Sequence, residues 1–231
     1  MARYERNIPA VSSEEQKRLA SKRVLVAGCG GLGGYVTEYL GRIGVGHLTI
    51  VDGDIFSESN LNRQLLASDE TLGKPKPQCA RERLERVNPL VSVTPVCENI
   101  DAHNAQTLLT GHDVVIDALD SGSARKMLAK AARTYGVPVV SGAISGWHGR
   151  VFVLFPGDDA DFLWEDETGL LAGNLSFTAA AVAAVEAAEA VKLLLGRPGV
   201  LKNCMLELDL LGGQWEEIPL EFSRQPEVQD V

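Results

Sequence analysis

Short apolar runs alternate with helix-like segments over the first two thirds of the chain. The run VLVAG at 24–28 is apolar and ends in glycine, as a buried parallel strand does, whereas QCARERLERVN at 78–88 is amphipathic and precedes Pro89. Strands are predicted at 24–28, 47–52, 91–100, 113–120 and 137–144, and helices at 34–43, 78–88, 101–110 and 122–135. This alternation predicts an α/β fold with a Rossmann-like, doubly wound and mostly parallel sheet.

The pattern changes after Gly146. The apolar run GRVFVLFP at 149–156 follows the preceding strand too closely for a helical crossover, so the two strands are predicted to pair antiparallel. An alanine-rich helix over 176–195 is expected in the core or at a subunit interface, because small side chains permit close packing. Strands at 204–210 and 214–220 complete a sheet whose C-terminal strands are antiparallel.

A single domain is expected over residues 1–231, because this length supports one large core. Residues 1–20 would form an N-terminal arm and helix. The segment 157–173 carries six carboxylates and shows little periodicity, so we expect a long, solvated and mobile loop there. The polar tail at 222–231 is expected to be flexible.

Composition and charge argue against several function classes. The net charge of −9 makes binding to a nucleic-acid backbone an improbable main activity. No stretch is long and apolar enough for a membrane span, and the charged segment MARYERNIPAVSSEEQKRLASKR lacks the apolar core of a signal peptide, so we expect a cytoplasmic protein. The cysteines form no CxxC pair and the histidines are scattered, so we predict neither a zinc site nor a catalytic histidine.

A glycine motif marks a nucleotide site. Gly28, Gly30 and Gly33 satisfy G-x-G-x-x-G between a predicted strand and a predicted helix, and Asp52 ends the next strand. The first glycine allows a tight turn, the second lets the backbone approach a phosphate, and the third permits close helix packing. This motif alone is as compatible with a nicotinamide or flavin enzyme as with any other nucleotide user.

The polar run after Asp52 favours a triphosphate instead. Asparagine and arginine side chains there can hold phosphate oxygens, and Arg63 offers forked donors to the charge that develops at phosphorus. Arginine, lysine and a carboxylate able to hold Mg²⁺ are what nucleotidyl transfer requires. The residues concerned are Asp54, Ser59, Asn60, Asn62, Arg63 and Gln64, together with Lys74 and Lys76 and the strand-end Asp117 and Asp120.

These motifs together resemble those of the ThiF/MoeB/HesA family, the bacterial relatives of ubiquitin-activating enzymes. The resemblance runs from RYERN at residue 3 to QWEEIPL at 220 and includes GCGGLG, DGD, SNLNRQ, GKPK and DALD. It implies ATP- and Mg²⁺-dependent adenylation of the C-terminal glycine of a small ubiquitin-like sulfur carrier ending in Gly-Gly, of the thiamine or molybdopterin type. It also implies a homodimer, and it makes 157–173 the crossover loop of the family.

The resemblance assigns roles by position. Arg63 and Lys76 would stabilise the charge at the α-phosphorus, Asp120 would bind Mg²⁺, and Arg6 would reach into the partner subunit's site. Arg125 would make a structural or tail-binding contact. The residues expected around ATP are Gly28, Gly30, Gly31, Gly33, Asp52, Asp54, Ser59, Asn60, Leu61, Asn62, Arg63, Gln64, Lys76, Asp120 and Ser121.

Departures from the family pattern leave alternatives open. The two CxxC pairs of typical members are missing, so no zinc is expected, and residues 157–203 contain no cysteine for a covalent intermediate. Ser121 stands where asparagine is usual, as in the tRNA-modifying threonylcarbamoyladenosine dehydratases of the same superfamily. A tRNA-borne or peptide carboxylate is therefore an alternative substrate, and an NAD-dependent oxidoreductase or a non-catalytic scaffold is a less favoured reading.

Overall fold

The computed structural model describes residues 2–164 and 173–222. The strands of these ranges form one sheet in the order β3-β2-β1-β4-β5-β6-β7-β8. Strands β1 to β5 run parallel, and β6, β7 and β8 are added antiparallel. The strands are β1 (Arg23–Ala27), β2 (His47–Val51), β3 (Ser92–Val96), β4 (Val114–Asp117), β5 (Val139–Ser145), β6 (His148–Leu154), β7 (Cys204–Asp209) and β8 (Gln214–Pro219).

Helices cover both faces of the parallel part. They are α1 (Ser13–Leu19), α2 (Gly31–Ile43), α3 (Lys76–Val87), α4 (Ala105–Leu109), α5 (Gly122–Thr134) and α6 (Ser176–Leu195), with 3-10 turns at Ala2–Asn7, Glu58–Asn60 and Asp161–Trp164. Because side chains alternate along a strand, Val24 and Val26 of β1 face the core under α2, α3 and α6, whereas Leu25 and Ala27 face the core under α4 and α5. The predicted doubly wound α/β fold is confirmed.

The alanine-rich α6 lies in the core, as its composition predicts. Ala179, Ala183 and Ala190 are fully buried. The sheet also lacks a side chain where the helix crosses it, because a Cβ on Gly149 of β6 would collide with Val182. Small residues on the helix and on β6 therefore let α6 pack directly on the sheet where the antiparallel strands begin.

The N-terminal arm is fixed to the body of the protein. Tyr4 is buried, and a Cβ on Gly44 would lie 2.7 Å from its ring and hydroxyl. The Tyr4 hydroxyl also accepts a hydrogen bond from Asn88 Nδ2 at 2.8 Å. Helix α1 then begins with a capping box, in which Ser12 and Glu15 satisfy each other's backbone N–H groups.

Two elements are shorter than the sequence predicts. The predicted strand 91–100 ends at Val96, and the predicted helix 101–110 begins only at Ala105. Between them, the Asp101 carboxylate accepts hydrogen bonds from the backbone of His103 and Asn104. This local side-chain bonding competes with regular structure and produces a tight loop.

The predicted solvated loop over 157–173 is wrong for its first half. Residues Asp161–Trp164 form a 3-10 turn, and Trp164 is buried 6.2 Å from the Phe152 ring, measured between ring centroids. Two of the carboxylates pair with α5, namely Asp159 with Arg133 at 3.4 Å and Asp161 with Lys126 at 3.2 Å. Residues 165–172 and the tail at 223–231 lie outside the described residues. Within the described ranges, no helix combines the length and apolarity that a membrane crossing needs.

Candidate active site

A cleft of about 730 Å³ opens at the carboxyl ends of the parallel strands and extends over β5 and β6. This is the edge at which open α/β sheets bind ligands, and the volume suits a nucleotide. The predicted site residues that line it are Gly28, Gly30, Gly31, Asp52, Asp54, Arg63, Gln64, Lys76 and Asp120. Arg125 lines it as well.

The glycine turn shapes the phosphate end of the cleft. Gly28 has φ +93°, and a Cβ there would lie 2.5 Å from the Ala118 carbonyl oxygen, so only glycine fits. A side chain on Gly33 would collide with the Gly28 carbonyl, so Gly33 packs the helix on the turn and does not line the cleft. Helix α2 begins at Gly31, and its first N–H groups face a position suited to phosphate.

Two carboxylates and one buried ammonium group meet beside this turn. Asp52 accepts backbone hydrogen bonds from Cys29 at 2.7 Å and from Asp54 at 2.8 Å, which fixes its carboxylate. Lys76 is only 5% exposed, and its Nζ lies 2.9 Å from Asp54 Oδ2 and 3.9 Å from Asp52 Oδ2. The Asp54 side chain is 70% exposed, so an incoming anion can replace it as the partner of Lys76.

The SNLNRQ run holds Arg63 in place. Arg63 Nη1 donates to the Ser59 carbonyl at 2.8 Å and to Asn62 Oδ1 at 2.9 Å. Asn62 in turn donates to the Asn174 carbonyl at 3.3 Å, which connects this loop to the start of α6. Ser59 and Asn62 do not line the cleft themselves, so in this structure they position Arg63.

Other predicted residues have structural partners or lie elsewhere. Asn60 Oδ1 accepts from the Ser57 backbone at 3.0 Å, and Ser121 Oγ accepts from the Ala124 backbone at 3.3 Å as the N-cap of α5. Leu61 is exposed outside the cleft lining. Arg6 is exposed on the N-terminal arm, and it does not line the cleft of its own chain.

Hydrogen bonds fix the turn after β4, which carries Asp120. Asp117 is buried and accepts hydrogen bonds from Ser141 Oγ at 2.7 Å and from the Leu119 backbone at 3.2 Å. Arg125, 6% exposed, donates from Nε to the Leu119 carbonyl at 2.8 Å, and its Nη2 donates to the same oxygen. The exposed Asp120 carboxylate is thereby held at the cleft by a rigid turn.

Several lining residues were not predicted from the sequence. They are Asn99 and Ile100 after β3, Ser145, His148 and Arg150 on β5 and β6, Asn174 before α6, and Glu207 on β7. Alternation along the predicted strand 149–156 could have shown that Arg150 and Val151 lie on opposite faces of the sheet. The pairing of Arg150 with Glu207 depends on the register of β6 and β7, which the sequence does not reveal.

One buried carboxyl group belongs to a glutamate outside the cleft lining. Glu186 of α6 is fully buried, and burial raises the pKa of its carboxyl well above the usual value of 4.5. The negative charge of Asp117 raises this pKa further, and the positive charge of Arg125 opposes the change. Burial thus favours the protonated form of Glu186, which does not line the cleft.

Known proteins are similar to this chain in sequence and in fold. The ThiF family profile matches residues 4–229. The chain is 37% identical over 227 residues to the SAMP-activating enzyme E1 of Haloferax volcanii, covering 94% of this chain and 84% of that protein. It is also 37% identical over 232 residues to the molybdopterin-synthase adenylyltransferase of Salmonella typhimurium, covering 95% and 92%.

A solved structure has a similar fold. The crystal structure of Escherichia coli MccB with ATP superposes with a TM-score of 0.83 at 21% sequence identity, covering 99% of this chain and 74% of that one. The family profile spans nearly the whole chain, from the N-terminal arm to beyond β8. The protein therefore belongs to the ThiF family.

Proposed function

We propose that this protein is an ATP- and Mg²⁺-dependent adenylyltransferase that activates the C-terminal glycine of a small ubiquitin-like sulfur carrier. The observation that carries the proposal is the arrangement of one cleft, in which a glycine turn, the buried Lys76, Arg63 and Asp120 line a single volume. The two curated relatives, a SAMP-activating enzyme and a molybdopterin-synthase adenylyltransferase, support this substrate class.

The reaction needs positioning and charge neutralisation more than proton transfer. An oxygen of the carrier's terminal carboxylate attacks the α-phosphorus of ATP, a new O–P bond forms, and the bond to the leaving pyrophosphate breaks. The attacking carboxylate is already ionised at neutral pH, so no general base is required. The cationic groups of Lys76 and Arg63 are the groups of this cleft suited to stabilise the negative charge that builds up at phosphorus.

The contacts of Lys76 support such a role. Its ammonium group is buried and held by two carboxylates, of which Asp54 is exposed and replaceable. When a phosphate enters, Lys76 can exchange Asp54 for a phosphate oxygen without moving out of its buried position. Asp52 keeps its backbone hydrogen bonds and has remaining lone pairs for the ribose hydroxyls.

Asp120 fits a magnesium site. Mg²⁺ is usually held by one or two carboxylates together with phosphate oxygens, and Asp120 is an exposed carboxylate on a rigid turn of the cleft. The bound ion would neutralise phosphate charge. The proposal needs no zinc, since none of the four free cysteines belongs to a CxxC pair.

The proposal includes a homodimer in the cytoplasm, with Arg6 acting in the partner's cleft. The Arg6 side chain is exposed and makes no hydrogen bond or ion pair among the described residues, although the arm that carries it is anchored by Tyr4. Four large apolar side chains are exposed on the loop between β2 and α3, which also carries Arg63, and they support a subunit contact there. They are Ile55, Leu61, Leu65 and Leu72.

ATP–pyrophosphate exchange with purified protein tests the proposal. The assay would contain a panel of small proteins that end in Gly-Gly, each also prepared without its last glycine. We expect exchange with at least one intact carrier, none with its truncated form, and loss of at least a hundredfold in Asp120→Ala. Asp69→Ala, which removes an exposed carboxylate outside the cleft, is the matched control.

No exchange with any carrier, in protein that still binds ATP, would overturn the choice of substrate. The same protein would then be tested with tRNA-borne and peptide carboxylates. Exchange that survives in Asp120→Ala would instead remove this residue from the magnesium site while leaving the reaction intact.

A further inference from the structure

The step that follows adenylation needs a base, although adenylation itself does not. A carboxylate is ionised at neutral pH, whereas a thiol, with an ordinary pKa of about 8.5, is mostly protonated. A sulfur nucleophile that attacks the acyl-adenylate must therefore give its proton to a neighbouring group. None of the four cysteines, all within the described residues, lines the cleft, so this nucleophile has to enter from outside the chain.

One histidine lines the cleft in the part of the chain that the structure describes. It is His148, the first residue of β6, and its side chain is exposed, so a nucleophile from solvent can reach it. The register of the sheet puts His148 directly opposite Ser145 of β5 on one side and Asp209 of β7 on the other. Residues that are directly opposite each other share a face, so these three side chains form one row across three strands.

The Asp209 carboxylate is fixed beside the His148 ring. Its Oδ1 accepts backbone hydrogen bonds from Leu211 at 2.9 Å and from Gly212 at 2.8 Å, and it lies 3.9 Å from His148 Nδ1. The bond from Gly212 is the largest of the causes that lower the pKa of Asp209 below its usual 3.8, so this carboxylate is charged at neutral pH. A charged carboxylate next to Nδ1 orients the ring and leaves Nε2 to take a proton, which is the arrangement of a histidine general base.

The hairpin that carries His148 is connected to the loop that positions Arg63. Gly146 of this hairpin forms a β-bridge with Asn174, whose carbonyl accepts a hydrogen bond from Asn62 Nδ2 at 3.3 Å. The other end of the same amide, Asn62 Oδ1, accepts from Arg63 Nη1 at 2.9 Å. His148 and the arginine proposed to act at the α-phosphorus therefore belong to one braced wall of the cleft.

We propose that His148 is the general base of a second step, in which a nucleophile of the thiol class attacks the acyl-adenylate. The thiol proton passes to His148 Nε2 and then to solvent, the sulfur forms a bond to the carbonyl carbon, and the bond from that carbon to the AMP oxygen breaks. The products are a thioester of the carrier and AMP. The inference rests on the proposed function, which supplies the adenylate, and it limits the expectation of no catalytic histidine to the first step.

A two-stage experiment measures the second step alone. The acyl-adenylate is first accumulated from ATP and a carrier that supports exchange, with pyrophosphatase present, and the formation of thioester is then followed after a thiol is added. Mercaptoethanol, which is protonated at neutral pH, is compared with para-nitrothiophenol, which is already ionised. His148→Gln should slow the reaction of mercaptoethanol by about a hundredfold or more and change that of the aryl thiolate little, because only the former needs a base.

Two further variants separate base catalysis from structure. His103→Gln, at an exposed histidine outside the cleft, should react normally with both thiols, and Asp209→Asn, which keeps an acceptor for the turn, should show a smaller loss confined to mercaptoethanol. Equal slowing of both thiols in His148→Gln, no slowing of either, or an adenylate that reacts with neither thiol in the unaltered protein would overturn the proposal. Absence of any adenylate in the unaltered protein would overturn the proposed function and this inference together.

Discussion

The role proposed for Lys76 depends on how its buried charge is held. Placing an ammonium group in a site that is 95% covered is costly unless carboxylates hold it, and Asp52 and Asp54 do so here. The buried ammonium group lines the cleft, where it is close to the position proposed for the phosphate. Pairing with a replaceable carboxylate keeps the site stable before the substrate arrives and available afterwards.

Replacement of Lys76 should therefore remove activity and spare the fold. We expect Lys76→Ala to lower the rate of pyrophosphate exchange by about 100- to 1,000-fold, the usual effect of removing one group that stabilises transition-state charge. Steady-state exchange kinetics measure the loss. Lys74, which the sequence also offered for nucleotidyl transfer, is exposed and does not line the cleft, so Lys74→Ala should retain normal exchange; a similar loss there would contradict the role of Lys76.

Glu186 should make stability depend on pH. Its pKa is raised in the folded state, so above about pH 4.5 the unfolded chain ionises this group while the folded chain keeps it protonated. Stability therefore falls as pH rises from 4.5 towards the folded pKa. Glu186→Gln removes the effect, so its melting temperature should exceed that of the unaltered protein by a margin that widens as the pH rises above 4.5.

Thermal melting at four or five pH values within this window measures that margin. Glu70→Gln, on an exposed turn, is the control and should show a constant difference. A margin for Glu186→Gln that shrinks with rising pH would mean that the buried carboxyl is ionised in the folded protein.

The site residues that could be predicted from the sequence share one property: each belongs to a short local motif. Lys76 sits in GKPK, Arg63 in SNLNRQ and Asp120 in DALD, and the cleft contains all three. Asn99 and Arg150 belong to no such motif. They reach the cleft through the adjacency of β3 to β2 and the antiparallel addition of β6, which are long-range contacts that no local pattern encodes.

At the scale of elements, the capped start of α1 connects the N-terminal arm to the end of α6. Ser12 Oγ accepts from the Glu15 backbone at 3.2 Å, and the Glu15 carboxylate pairs with Arg197 at 2.8 Å. The hydrogen bond from Arg197 is the largest of the causes that lower the pKa of Glu15 to about 2. The seven-residue helix α1 thus holds the N-terminal arm against the segment that follows α6.

Loss of the cap should cost a measurable part of the stability. We expect Ser12→Ala to lower the free energy of unfolding by about 1 kcal/mol. For a chain of this size the melting temperature should fall by about 2–4 °C. Ser13→Ala, at the neighbouring helical position, is the control and should change the melting temperature little; equal effects of the two substitutions would show that the cap is not the cause.

The observed helices and strands agree closely with the predicted ones where their apolar side chains are fully buried. The helix 176–195 is predicted and observed with the same ends, because Gly196 adopts the left-handed conformation that terminates it. The predicted element boundaries are wrong where local side-chain hydrogen bonds replace regular structure, as at Asp101. The loop prediction fails where distant partners order a polar stretch, as Arg133 and Lys126 do for 157–164. Periodicity carries no information on either effect.

At the scale of the whole molecule, the proposed homodimer predicts complementation between two inactive variants. Arg6→Ala and Asp120→Ala should each be inactive alone, because each lacks one contribution to both sites. After dissociation and reassociation of an equal mixture, about half the dimers are mixed and one of their two sites is intact. Exchange should therefore recover to roughly a quarter of the normal rate.

The two variants mixed without dissociation are the control for this experiment. Recovery in that sample would indicate a contaminating active enzyme. No recovery after reassociation, with mixed dimers demonstrated by differently tagged chains, would show that Arg6 does not act across a subunit boundary.

The continuous sheet has a consequence for how the two substrates meet. Strands β1, β2 and β4 lead into the end of the cleft proposed for the nucleotide, and β5 and β6 lead into its other end; backbone hydrogen bonds join all of these strands in one sheet. Within residues 2–164 and 173–222 one unbroken sheet joins the two ends, so their spacing is set when the chain folds. In the proposed reaction, the carrier's carboxylate would therefore meet the phosphorus in a cleft whose two ends already have their final spacing.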